Sequence, residues 1–101
     1  MSKKIVLLCC QGMSTSMLVS KMQKAAEKQG LDYNIAAHPI ASAASVAADA
    51  DLILLGPQVR FQQSKVQKEL PDKKVEVIDM RSYGMMDGEG VVGQCKKLIG
   101  E

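Results

Sequence analysis

The sequence predicts an α/β fold of three layers, with a four-stranded parallel sheet in the order 2-1-3-4 between helices. Two observations carry that reading. The runs Lys4-Ile5-Val6-Leu7-Leu8 and Leu52-Ile53-Leu54-Leu55 are apolar without alternation, as strands covered on both faces are. Between the strand-like runs lie segments with helical spacing, and strands alternating with helices imply right-handed βαβ units. In such a sheet ligand chemistry gathers outside the carboxyl ends of the strands, near the switch point between the first and third.

In chain order, the first strand runs into Cys9-Cys10-Gln11-Gly12-Met13-Ser14-Thr15-Ser16, a loop with one glycine and three hydroxyl residues that enters a helix. That helix is expected from about Ser16 to Gln29, with Leu18, Met22, Ala25 and Ala26 on one face. Gly30 stands where a C-cap glycine belongs. Tyr33 to Ala37 makes the second strand, stopped by His38-Pro39 because the residue before proline resists helix. The Ala- and Ser-rich stretch from Ile40 to Ala50 reads as a short helix whose small residues let it lie close to the sheet. The third strand, Asp51 to Leu55, stops at Gly56-Pro57-Gln58, a strongly punctuated turn. A third helix over about Val59 to Leu70 places Val59, Val66 and Leu70 on one side, and Pro71 and Asp72 end it. Val75 to Ile78 is the fourth strand, closed by Asp79. Met80 to Met86 reads as a loop carrying Arg81, Ser82, Tyr83 and Gly84. Asp87 is an N-cap for the last helix, which has Glu89 in its first turn and Lys96 and Lys97 near its negative pole. Its apolar stripe is Val91, Val92, Cys95, Leu98 and Ile99.

Composition narrows the function classes. A chain of 101 residues is one domain, 1–101, with room for a single core. Its 47% apolar and 24% charged residues are those of a globular protein, and its three aromatics leave the core to aliphatics, Met and Ala. A net charge of +2 is too small and scattered for a nucleic-acid footprint. No apolar run approaches the roughly 20 residues of a membrane span. The short run after the N-terminal lysines is below a signal-peptide core of roughly 7–15 residues, so a cytoplasmic location is expected. The three cysteines form no disulfide framework and no Cys-x-x-Cys pair, and His38 has no cysteine at metal-ligand spacing. Neither a metal nor another cofactor is expected.

The chemistry converges on Cys9. A thiol ending a strand, followed by small and hydroxyl residues that lead into a helix, has main-chain N–H groups and a positive dipole end around its sulfur. This favours a thiolate and an anionic phosphoryl group on or beside it. The plainer alternative is a buried strand-end cysteine, common because thiols pack as small hydrophobes. Gly12 to Ser16 weigh against it. Glycine lets amides approach phosphate oxygens, hydroxyls donate further bonds, and three hydroxyl residues exceed what helix capping needs. Cys10 points to the other side of the chain if strand geometry persists, and reads as a neighbour of the attacking group. Cys95 lies on the stripe of the last helix and reads as core. Met13 and Met17 are core fillers or, if exposed, an adaptable partner surface. Gln58, Asp79 and Tyr83 are candidates for the site rim, though a polar strand-end residue, or a packing tyrosine, explains each alone. His38 is expected on a surface loop, with no catalytic role.

Cys9-x-x-Gly12-Met13-Ser14-Thr15-Ser16 after an apolar strand resembles the IIB proteins of the bacterial sugar phosphotransferase system, lactose/cellobiose (chitobiose) group. The match continues through Leu18-Val19-Ser20-Lys21-Met22, Leu54-Leu55-Gly56-Pro57-Gln58-Val59, Val75-Glu76-Val77-Ile78-Asp79 and Tyr83-Gly84, essentially the whole chain. The resemblance implies that Cys9 accepts a phosphoryl group from a histidine of a IIA protein, on a loop formed by Cys10, Gln11, Gly12, Met13, Ser14, Thr15 and Ser16. Cys9 then passes the group to a sugar entering through the membrane IIC protein, a β-disaccharide such as cellobiose, chitobiose or lactose. Cys10 stands where the family has a small residue. Two partners using one loop in turn imply a monomer with transient contacts around Met13, Gln58 and Tyr83. The architecture also resembles low-molecular-weight tyrosine phosphatases, whose phosphate loop ends in an arginine that clamps the phosphoryl group. Thr15 and Ser16 occupy those positions here, and no arginine occurs between Cys9 and Arg60. Asp79 falls roughly where those enzymes keep a general acid. Hydrolysis without the arginine is expected to be slow, as a carrier requires. The alternatives are a phosphatase-like hydrolase and a thiol redox protein using Cys9 and Cys10, the latter burdened by a strained vicinal disulfide.

Overall fold

The computed structural model describes residues 3–9 and 13–100, with side chains described from Ser16 onward in the second stretch. Strand β1 (Lys3–Cys9) lies at the centre of a parallel sheet. It pairs with β2 (Tyr33–Pro39) on one side and β3 (Leu52–Leu55) on the other, and β3 pairs with β4 (Val75–Val77). The order is β2-β1-β3-β4, as the sequence predicts.

The unbroken apolar runs of β1 and β3 exist because each face of the sheet meets its own layer. Ile5, Leu7, Leu52 and Leu54 face helix α1 (Met13–Lys28) and helix α5 (Gly88–Ile99) through Leu18, Met22, Ala25, Ala26, Val91, Val92 and Cys95. Val6, Leu8, Ile53 and Leu55 face the opposite way, against α2 (Ala43–Val46) and α3 (Gln63–Glu69). All eight of these strand residues are fully buried. Each large aliphatic placed so contributes on the order of 1.5–3 kcal/mol. A single-residue slip of register would exchange the two sets of side chains between layers.

Several expectations are corrected. Helix α1 starts at Met13, three residues before Ser16, so the hydroxyl residues form its first turn. The stretch from Ile40 to Ala50 is a 3-10 turn (Ile40–Ser42) followed by the single turn of α2. Its buried side chains are the alanines Ala43, Ala47 and Ala50, which remove too little apolar surface to propagate a longer helix. The third helix is split: Pro57 opens a 3-10 segment (Pro57–Gln62) in which Val59 departs from helical geometry, and α3 follows. The loop after Asp79 is helix α4 (Met80–Gly84).

His38 is not on a loop. It lies inside β2, half-buried and opposite Leu8, because pairing with β1 runs on to Pro39. Pro39 occupies the strand's last position, on an edge that needs no N–H from it. The expected caps are present elsewhere. Asp87 accepts from the Gly90 N–H at 3.0 Å, and Gly30 takes a φ of 73° just after α1. Gly88 permits the close approach of α1 and α5, since a Cβ there would fall 2.6 Å from the Lys21 carbonyl carbon.

Candidate functional site

Cys9 is the last residue of β1, buried, and opposite Pro39 of β2. It stands two residues beyond Leu7, so strand alternation puts it on the face shared with α1 and α5. Helix α1 begins four positions later, and its first-turn amides have no partners within the helix. The chain thus brings the thiol-bearing strand end and a 16-residue helix N-terminus within one short connection. Cys10, Gln11 and Gly12 of the predicted cradle lie outside the described residues, as do the side chains of Met13, Ser14 and Thr15. Ser16 and Met17 are exposed on the first turn.

The wall on the β3 side starts at Gly56. Its N–H donates to the Leu8 carbonyl at 2.9 Å, which ties the turn after β3 to the residue before Cys9. Gln58 folds back over this glycine: a Cβ on Gly56 would lie 2.5 Å from Gln58 Oε1. The Gln58 Nε2 donates to the Tyr83 hydroxyl at 2.8 Å. Two of the predicted rim residues therefore meet, bridging the turn after β3 and helix α4. The tyrosine ring is half-buried against the core cluster on the α1 and α5 side, so its packing and its polar contact coexist.

The third rim residue has a structural duty. Asp79 is the N-cap of α4, and its Oδ2 accepts from Ser82 N–H at 3.0 Å and from Ser82 Oγ at 3.1 Å. Those two bonds, the backbone one first, hold its carboxyl below the ordinary 3.8. An ionised capping carboxylate is poorly suited to donate a proton as a phosphatase's general acid does. Gln94, which sequence reasoning missed, fixes the same turn: its Nε2 donates to the Val77 carbonyl and its Oε1 accepts from Asp79 N–H. Its only trace in the sequence is a glutamine beside the apolar stripe of the last helix.

Cys95 is buried in the core as expected, and burial pushes its thiol up to about 12. Among the described residues no cluster of His, Cys, Asp and Glu is arranged to hold a metal. No described helix is long and apolar enough to cross a membrane. Among the described residues the exposed large apolar side chains are Met17 on α1, Phe61 after β3, and Met80 and Met85 on or beside α4. All of them sit on segments that follow the carboxyl ends of strands.

The family model for the lactose/cellobiose-specific IIB subunit of the PTS system matches residues 4–94. The chain is 44% identical over 104 residues to the galactose-specific EIIB component of Lactococcus lactis subsp. cremoris (strain MG1363), covering 96% of each. It is equally similar to the cellobiose-specific EIIB component of Lactococcus lactis subsp. lactis (strain IL1403), with the same coverage. The oligo-beta-mannoside-specific EIIB component of Bacillus subtilis (strain 168) is 43% identical over 99 residues, with 96% of both chains covered. Among solved structures, the cellobiose-specific phosphotransferase IIB component of Borrelia burgdorferi superposes with a TM-score of 0.81 at 32% identity, covering 99% of this chain and 94% of that one. The lactose-specific IIB component domain from Streptococcus pneumoniae shares the fold, with a TM-score of 0.85 at 14% identity over 96% and 97% of the two chains.

Proposed function

Since the chain belongs to the lactose/cellobiose family of phosphotransferase-system IIB components, which are phosphotransferases, we propose that Cys9 is its phosphoryl carrier. The observation that supports this most is the position of Cys9: it ends the central strand at the switch point, one short connection from the N-terminus of α1. In the proposed step the Cys9 thiolate attacks the phosphorus of an N-phosphohistidine on a IIA protein, in line with the P–N bond. The S–P bond forms as the N–P bond breaks, and the electron pair returns to the imidazole nitrogen. Amides of residues 10–16 and the hydroxyls of Ser14, Thr15 and Ser16 bind the three equatorial oxygens, with the helix dipole favouring their charge.

In the second half a sugar hydroxyl oxygen attacks the same phosphorus. The S–P bond breaks, the thiolate is restored, and the hydroxyl proton passes to a base supplied by the membrane IIC side. Because Cys9 is covered in the structure, its sulfur must be uncovered as a partner docks. Met17, Met80 and Met85 offer adaptable apolar contacts at that end of the molecule. The absence of any arginine between Cys9 and Arg60 in the sequence, together with the capping role of Asp79, argues for slow hydrolysis of the phosphocysteine. We place the protein in the cytoplasm, where phosphorylated donors act, as a monomer. We assign it to a system for a β-linked disaccharide such as cellobiose, chitobiose or lactose. Relatives of nearly equal similarity are named for three different sugars, which supports a choice of sugar made by the permease rather than here.

Incubation with a phosphorylated IIA donor, followed by mass-spectrometric mapping, tests the assignment. Phosphate is expected on Cys9, lost in Cys9→Ser and largely kept in Cys10→Ser. An exchange of those two outcomes would move the nucleophile to Cys10. Release of phosphate from an aryl phosphate at a catalytic rate would instead favour the hydrolase.

A further inference from the structure

We propose that the Gln58–Tyr83 pair is a positioning latch for phosphoryl transfer, setting the wall of the reaction site on its β3 side; this rests on the carrier reading of Cys9. Two observations carry it. The Gln58 amide and the Tyr83 hydroxyl meet at 2.8 Å across two segments far apart in sequence, the turn after β3 and helix α4. The turn bearing Gln58 is in turn anchored next to Cys9, because Gly56 N–H holds the Leu8 carbonyl.

The conformation of Gln58 is specified on both sides. Gly56 leaves the space its Oε1 fills, which a Cβ would enter at 2.5 Å. Tyr83 takes its Nε2 and is itself held by α4, whose first turn is capped by Asp79 and whose preceding turn is held by Gln94. A polar side chain secured in this way on the surface adds little to the core, since Gln58 is exposed. What it does fix is the separation between the turn after β3 and α4, at the strand ends where donor and acceptor must approach in line. A small misplacement of a reacting group is enough to slow transfer strongly. The bond joins side chains that act together, so removing either partner should have the effect of removing both.

The test measures phosphoryl acceptance from a phosphorylated IIA donor by wild-type protein, Tyr83→Phe, Gln58→Met and the double variant, with thermal melts of each. The expected result is a three- to tenfold fall in the maximal transfer rate for each single variant, with half-saturating donor concentration and melting temperature unchanged. The double variant should be no slower than the slower single one. Unchanged rates would overturn the latch, as would losses that multiply in the double variant, and losses that merely follow a fall in melting temperature would reassign the pair to stability. Failure of wild-type protein to carry phosphate on Cys9 would overturn the carrier reading and the latch with it. Phosphorylation of wild type with indifferent variants sinks the latch alone.

Discussion

Cys9 and Cys95 are both buried, and for Cys95 the burial has a chemical consequence. Cys95 is surrounded by Val91, Val92 and the sheet, and its ionisation is opposed by desolvation, which lifts it to about 12 from an ordinary 9.0. It should therefore resist iodoacetamide at pH 8 in the folded protein and react only on unfolding, as peptide mapping after timed labelling would show. Alkylation of native Cys95 at the rate of an exposed thiol would contradict its place in the core. The same shift has a sign for stability. Between pH 9 and 12 the unfolded chain loses this proton while the folded one keeps it, so stability falls as pH rises through that window, by roughly 1.4 kcal/mol per unit at most. Cys95→Ala should flatten that part of the alkaline melting curve relative to wild type. Asp79 works in the opposite range. Its ionised form is favoured in the fold by Ser82, so its contribution is complete above the ordinary 3.8 and is lost as pH falls through its lower folded value. Asp79→Ala should lower the melting temperature at neutral pH and shrink its dependence on pH in the acid range, measured by calorimetry between pH 2 and 6.

At the scale of elements, what could be read in advance is what rests on periodicity and burial. The two central strands and the two long helices announce themselves because each removes a continuous apolar stripe from water: Ile5 to Leu8, Leu52 to Leu55, Leu18 to Ala26, Val91 to Cys95. The short elements do not, since they are fixed by contacts between distant residues. Helix α4 has five residues and no buried side chain; it forms because Asp79 accepts two bonds from Ser82 and Gln94 secures the turn before it. The site divides in the same way. The thiol, glycine and hydroxyl residues of 9–16 are adjacent in sequence, so the proposed phosphoryl site can be named from spacing alone. Gln58 and Tyr83 can be named as candidates separately, whereas their bond depends on the fold of the 24 residues between them. Gly88 belongs to this second kind. Its lack of a side chain lets the start of α5 touch the α1 backbone at Lys21, so Gly88→Ala must spread the two helices. A loss of about 1–3 kcal/mol is expected by chemical denaturation, comparable with overpacking a core. An unchanged midpoint would show that the helices can separate at no cost.

The molecule as a whole ends its sheet at β2 and β4, and each free edge is met by glutamine side chains. In a parallel strand the N–H and C=O of one residue point the same way, and alternate residues point oppositely. On β4, Lys74 O and Ile78 N bond to β3, so Val75 O, Val77 O and Asp79 N face outward. Gln63 takes the first and Gln94 the other two. On β2, Asp32 O bonds toward β1, and the outward Tyr33 O and Ile35 N are taken by the two ends of the Gln23 amide. These amides occupy part of each edge where a further strand would pair, which leaves an added chain less to bind. The proposed carrier, meeting two partners at its strand ends in turn, would gain from edges that recruit neither a copy of itself nor an extended peptide. Removing the cover should make the edges adhesive. Gln23→Ala leaves a half-buried amide and carbonyl without partners and should cost about 1–3 kcal/mol. The Gln23→Ala, Gln94→Ala double variant should add concentration-dependent association. Sedimentation velocity from 10 μM upward is expected to show a monomer for wild type and growing dimer or larger species for the double variant. A double variant that stays monomeric over a range of roughly two decades in concentration, with its fold intact by circular dichroism, would leave the glutamines as stabilisers of the edges and remove their role in keeping this protein single.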